Sequence, residues 1–273
     1  MKIDDIKVST KTIIAISNCV FDIVKIFTKF PVRTEPKNGS VEVMYYQNDY
    51  RGVVYADFRP RKKRSFRNAI NIISVMDDGK KINFKLSKNG KFQMTGCKND
   101  NHAITVVKTF IEDVFNHCPD TIEINDNSDT VKIYFQTVMT NIDFPLGFAV
   151  DRQKLDDLMN KNTPFHSLLE TSFGYTGVNI KFPLDLEWWD IPVPCISCNR
   201  NKIDEWTLEQ NKLSECLEVT SAIRNKKKYN TFLVFHSGSV IMSGMMKETM
   251  RHHYNLFMSI MKTCKNKIEE KLL

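Results

Sequence analysis

Basic residues are concentrated at two places where they could hold phosphate groups. Arg59, Arg61, Lys62, Lys63, Arg64 and Arg67 cluster around Pro60, Ser65 and Phe66, and Arg224, Lys226, Lys227 and Lys228 surround Asn225. Runs of this density attract polyanions, and each phosphate neutralised on a duplex releases about one counterion. Phe66 adds an aromatic face beside the first cluster. A solvated loop is the plainer reading of either run, and Arg61 to Arg64 also has the composition of a nuclear-import signal.

The remaining candidates offer less. Cys195 and Cys198 have the spacing of half a zinc site, but the next cysteine is Cys216, so a full ligand set would need a distant group such as His236. Asp77-Asp78 and Asp156-Asp157 fall in a turn and at a helix start, where carboxylates serve the backbone. His252-His253 reads as one solvent-facing and one packing histidine. The sequence carries no Gly-rich phosphate loop and no Gly-x-Ser-x-Gly nucleophile motif, so catalysis is not expected and no cofactor is implied. Trp188, Trp189 and Trp206 are of the type that anchors protein partners, or that folds back to cap a sheet edge.

The chain that must position these groups has 273 residues, 42% hydrophobic and 26% charged, which allows one large or two small domains and excludes wholesale disorder. Its 39 basic and 32 acidic residues give a net charge of +7. No apolar run reaches the ~18 residues of a membrane span, and Met1 to Asp5 is charged where a signal peptide would be apolar. An intracellular protein with no membrane partner is expected. Seven cysteines scattered from Cys19 to Cys264 read as reduced thiols.

Internal similarity organises the chain. Lys11-Thr12-Ile13-Ile14 and Gln136-Thr137-Val138-Met139 are offset by 125, as are Tyr50-Arg51-Gly52-Val53-Val54 and Tyr175-Thr176-Gly177-Val178-Asn179. Further on, Lys80-Lys81-Ile82-Asn83 meets Lys227-Lys228-Tyr229-Asn230 at an offset of 147, so about 22 extra residues lie between Val178 and Ser221. Each half reads as strand, short helix, four strands and a long helix. Lys81 to Leu86 alternates as a strand, Ser87-Lys88-Asn89-Gly90 turns, and Lys91 to Thr95 returns. After the caps Asn99 and Asp100, Ala103, Val107, Phe110, Ile111 and Val114 share one helical face, as do Met250, Tyr254, Phe257 and Met261. The expectation is an α+β protein: two pseudo-symmetric repeats, 1–120 and 121–273 with an insertion near 185–214, whose antiparallel sheet is covered by helices on one face.

Gly90-Lys91-Phe92-Gln93-Met94-Thr95-Gly96, Val234-Phe235-His236-Ser237-Gly238-Ser239-Val240-Ile241-Met242-Ser243-Gly244, and Phe135-Gln136-Thr137-Val138-Met139 with Phe144-Pro145-Leu146 resemble the repeat motifs of the TATA-box-binding protein family. The Lys, Asn and Ile richness is most similar to the TATA-binding-like proteins of large DNA viruses. The resemblance implies a saddle whose concave sheet lies in the minor groove of promoter DNA, with transcription factors or RNA polymerase subunits as partners. In a virus this would act in the host cytoplasm or nucleus, or travel in the virion.

Family wedges that unstack base steps fall on Phe235, on Leu86 or Phe84, on Phe66, and on Leu213. Groove-facing positions fall on Thr12, Gln93, Thr95, Thr137, Ile241 and Ser243, with Thr12 and Thr137 standing where the family has a symmetric Asn pair and Thr95 and Ser243 where it has a flanking Thr pair. Phosphate contacts fall on Arg59, Arg61, Lys62, Lys63, Arg64, Arg67, Lys226, Lys227 and Lys228. The insertion is expected to be a partner-binding loop, removable from Glu187 to Gln210 with the fold intact.

Overall fold

The computed structural model describes residues 1–32, 37–52, 68–125, 128–169, 176–216 and 220–270. The first half holds β1 (Val8–Ser17), β2 (Cys19–Phe21), α1 (Ile23–Lys29), β3 (Ser40–Tyr46), β4 (Asp49–Gly52), β5 (Ala69–Val75), β6 (Lys81–Ser87), β7 (Lys91–Cys97), α2 (Asp100–His117) and β8 (Ile122–Ile124). There follow β9 (Thr130–Pro145), α3 (Arg152–Asn162), β10 (His166–Leu169), β11 (Gly177–Leu184), β12 (Pro192–Asn199) and β13 (Thr207–Lys212). The chain ends with α4 (Leu213–Cys216), α5 (Ser221–Arg224), β14 (Lys228–Phe235), β15 (Ser239–Gly244) and α6 (Lys247–Ile268). Two compact units result. One comprises Lys11–Thr137 with Ile191–Leu217, and the other Met1–Thr10, Val138–Asp190 and Glu218–Leu273.

In the first unit β4, β3, β5, β6, β7 and β1 pair antiparallel in that order. Strand alternation sends Ile13, Ala15, Ile70, Ile72, Ile82, Phe84, Leu86, Phe92 and Met94 to one face, where α2 lays Ala103, Val107, Phe110, Ile111 and Val114 against them. Helix α2 begins where expected: the Asn99 side chain accepts from the His102 N–H at 3.0 Å. The Phe110 ring is the centre of this core, stacked on Phe30 at 5.1 Å between centroids and edge-on to Phe84 at 5.8 Å and Phe92 at 5.9 Å. The insertion is structured. Strand β12 pairs with the start of β9 and with β13, and sends Ile196 and Cys198 into this same core.

The second unit pairs β10, β11, β14, β15 and the end of β9 antiparallel. Ile142, Phe144, Val178, Ile180, Phe182, Phe232, Val234, Val240 and Met242 are covered by Leu155 and Met159 of α3 and by Met250, Tyr254, Phe257 and Met261 of α6. The amino terminus completes this cover. Ile3 and Ile6 are buried, Lys247 donates to the carbonyls of Asp4 (3.1 Å) and Ile6 (2.6 Å), and Arg251 pairs with Asp4.

Of the His252-His253 pair, His253 is the inward one. Its Nδ1 lies 2.9 Å from Asn230 Nδ2, which also donates to the Thr249 carbonyl at 3.0 Å, so the imidazole accepts and must be neutral. Burial, and secondarily the charge of His252, hold its pKa below the ordinary 6.5. The unfolded chain therefore binds a proton that the fold refuses. Stability from this site is whole above pH 6.5 and is lost as pH falls through the lower folded value. Urea midpoints should fall on acidification below about 6.5, and His253→Gln should remove that part of the decline. Identical pH profiles for the two proteins would contradict the assignment.

Candidate nucleic-acid interface

Among the described residues, the strands of each unit have helices on one face and none on the other, here called the open face. In the first unit, cross-strand register aligns Ile14, Gln93, Lys85, Asn71, Tyr45 and Tyr50 in a row on the open face. A second row carries Thr95, Asn83 and Ile73. In the second unit one row runs Asp143, Ile241, Leu233, Asn179 and Leu168, and the next runs Asn141, Ser243, Thr231, Lys181 and His166. Phe235 stands half-buried on this face opposite Gly177, whose missing Cβ would fall 2.6 Å from a methyl of Leu233. The Oδ1 atoms of Asn141 and Asn179 are buried without a hydrogen-bond partner, a cost of about 1–3 kcal/mol each that both concentrate on this face.

The candidates divide accordingly. Gln93 and Thr95 are exposed on the open face of the first unit, and Ile241, Ser243 and Phe235 lie half-buried on that of the second. Thr12 is half-buried at the register irregularity between Lys11 and Ile13. Thr137 is a correction. Its hydroxyl donates to Asp100 Oδ1 at 3.2 Å, beside the 2.9 Å ion pair of Lys11 with the same atom, so it secures the first turn of α2.

Leu86 is also corrected, as is its alternative Phe84. Both are fully buried in the helix-covered core, because β6 sends its even-numbered residues inward. The turns decide the true correspondence. Gly90 N–H donates to the Ser87 carbonyl and Gly238 N–H to that of Phe235, with both glycines at positive φ, near +76° and +80°. Phe235 is thereby matched by Ser87, which offers no wedge. Leu213, 1% exposed at the start of α4, is held inside by its N–H bond to the Ile191 carbonyl. Phe66, with Arg59, Arg61, Lys62, Lys63, Arg64 and Arg67, lies outside the described residues.

In the second basic cluster Lys226 and Lys227 are exposed, but Lys228 is half-buried with its Nζ 4.3 Å from the Trp188 ring centroid. Burial lowers its pKa, so it serves as packing more than as a phosphate clamp. The tryptophans turn inward as well. Trp188 is buried, donates to the Lys226 carbonyl at 3.3 Å and meets Trp189 edge-on, while Trp206 donates to Glu112 Oε1 at 2.9 Å and packs on the core of the first unit. They cap surfaces of their own units and do not form an exposed anchor.

Strand geometry removes the zinc reading of Cys195 and Cys198, since residues three apart on β12 point to opposite faces. Cys198 faces the core, where burial pushes its thiol up to about 11, whereas Cys195 lies beside Cys216.

Lys85, Lys91, Lys181 and His166 belong to the open faces and were not singled out from sequence. The alternation Lys81-Ile82-Asn83-Phe84-Lys85-Leu86 held the signal for Lys85, but family motifs drew the assignment to its buried neighbours.

With the geometry in place, similarity to known proteins decides what the molecule is like. It is 29% identical to the TATA-box-binding protein-like protein of Acanthamoeba polyphaga mimivirus over 66% of this chain and 55% of that one. The chain is similar to the TATA-box-binding-protein-like proteins of large DNA viruses. It is also 25% identical to uncharacterized protein 335L of Invertebrate iridescent virus 6, over 73% of this chain and 61% of that one. The matches thus span little more than half the length of these relatives. The TATA-binding protein of Methanococcus jannaschii aligns over 94% of this chain and 98% of its own with a TM-score of 0.48 and 14% identity. No family model matches the chain. Among the described residues no helix is long and apolar enough to cross a membrane.

Proposed function

We propose that this chain is a DNA-binding transcription initiation factor of a large DNA virus, which lays open sheet faces in the minor groove of AT-rich promoter duplex, bends it and recruits RNA polymerase machinery. The observation that carries the reading is the pair of open faces, each of which sets apolar, hydroxyl and amide side chains among a few charged ones and is backed by a helix-covered core. The minor groove of A·T pairs presents only acceptors, which the hydroxyls of Thr95, Thr231 and Ser243 and the amide of Gln93 can meet as donors. Lys226 and Lys227 remain for phosphates, together with the cations between Arg59 and Arg67. Phe235 supplies one wedge and Phe66 the other.

The second reading is a transcription interaction module that has lost specific TATA binding. Ser87 at the turn favours it, because a duplex laid there meets no aromatic wedge where the second unit has Phe235.

Binding to AT-rich and GC-rich duplexes titrated with salt separates the two. We expect an AT preference that survives added salt and a bend visible by fluorescence transfer. Phe235→Ala should lose much of the bend and weaken binding about tenfold or more, since a wedge repays unstacking of a few kcal/mol per step, and the protein should stay folded. Equal, steeply salt-dependent binding to both duplexes without bending would favour the interaction module.

A further inference from the structure

Among the described residues the inserted hairpin ends in an unpaired sheet edge. Strand β13 pairs, among those residues, with β12 alone, opposite Pro192, Val193, Pro194, Cys195, Ile196 and Ser197. Pro192 and Pro194 have no N–H, so the hydrogen-bonded pairs are those of Val193 with Asn211, Cys195 with Glu209 and Ser197 with Thr207. The N–H and C=O groups of Leu208, Gln210 and Lys212 therefore point away from β12. The Lys212 N–H confirms the direction by donating to Glu215 Oε2 at 3.0 Å. Among the described residues, the backbone groups of Leu208 and Gln210 find no such partner.

Edges of this kind template pairing with other chains, and proteins normally blunt them with proline, a bulge or inward charge. Here five of the six β13 residues are exposed, Leu208 at 59%. From Asp204 to Glu215 the sequence holds four carboxylates and one lysine; Glu205 is paired with Lys202 at 3.2 Å and Glu215 accepts from the Lys212 N–H, which leaves Asp204 and, on β13 itself, Glu209 to meet a cation. We propose that β13 takes up an extended basic segment of a partner protein by strand addition, apolar side chains lying beside Leu208 and cations beside Glu209. A second copy fits poorly. Antiparallel pairing about a twofold joins residues of like parity, which sets Glu209 against Asn211 or against itself and never against Lys212.

The test uses the full chain and a labelled peptide of about eight residues alternating valine and arginine, with a valine–glutamate peptide as control. Saturable anisotropy with the basic peptide alone, and slowed amide exchange at Leu208 and Gln210, are expected. Gln210→Pro removes an outward N–H without disturbing β12. It should weaken the peptide about tenfold or more and leave DNA binding unchanged, so this proposal can fail without the DNA reading failing. Undiminished binding to Gln210→Pro overturns it. If that variant does not fold, wild-type exchange decides. Protection elsewhere, or protection rising with protein concentration without peptide, overturns the proposal.

Discussion

Deleting Glu187 to Gln210 is expected to abolish cooperative folding of the Lys11–Thr137 unit, the reverse of what a dispensable surface loop would do. The deletion removes Ile196 and Cys198 from the core and Trp206 from its packing against that core and its bond to Glu112. It also removes buried Val193. At about 1.5–3 kcal/mol for each large apolar side chain, the loss rivals the ~5–15 kcal/mol that holds a whole domain. Loss of Trp206 further leaves Glu112, whose pKa burial already raises, without its indole donor. Thermal unfolding followed by near-ultraviolet dichroism should lose its sharp transition. A cooperative transition at an unchanged temperature would restore the loop reading. The milder Trp206→Phe should cost about 1 kcal/mol, close to one hydrogen bond.

Phe110→Ala should destabilise the same unit by about 3–5 kcal/mol, the range for a fully buried phenylalanine. The ring is in contact with Phe21 of β2, Phe30 just after α1, Phe84 of β6 and Phe92 of β7, four separate elements, so no single neighbour can collapse into the space. Val106, also buried on α2, is a smaller side chain, and Val106→Ala should cost visibly less. Chemical denaturation of the variants measures the difference. A Phe110→Ala cost under about 1 kcal/mol would mean that this core repacks freely.

Local physics made much of the architecture readable in advance. Alternation from Lys81 to Thr95 around Ser87–Gly90 names a hairpin because a strand has period two and glycine relaxes most readily into the positive φ that Gly90 adopts. The stripes of α2 and α6, and the cap at Asn99, follow from the helical period and from unsatisfied first-turn N–H groups. Which face of a strand meets helices was another matter. Motif likeness placed Leu86 and Thr137 toward DNA; the fold turned Leu86 inward, because one residue of register exchanges every side chain between faces, and tied the half-buried Thr137 to Asp100.

The fate of Trp188, Trp206, Cys195 and Cys198 was equally beyond the sequence. Their spacing permits a ligand set or an exposed anchor until β12 is known to be a strand and Glu112 and the Lys226 carbonyl are known to receive the indole donors. The sequence by itself determined the charge, the hairpins and the apolar stripes of α2 and α6, the last two of which depend on neighbours two to four residues away, but it left β12 and β13 as a loop. Tertiary structure decided which polar groups lie on the sheet faces away from the helices and, among the described residues, which edge of β13 stays unpaired, because burial and pairing depend on residues such as Glu112 and Trp206 that lie far apart in the chain.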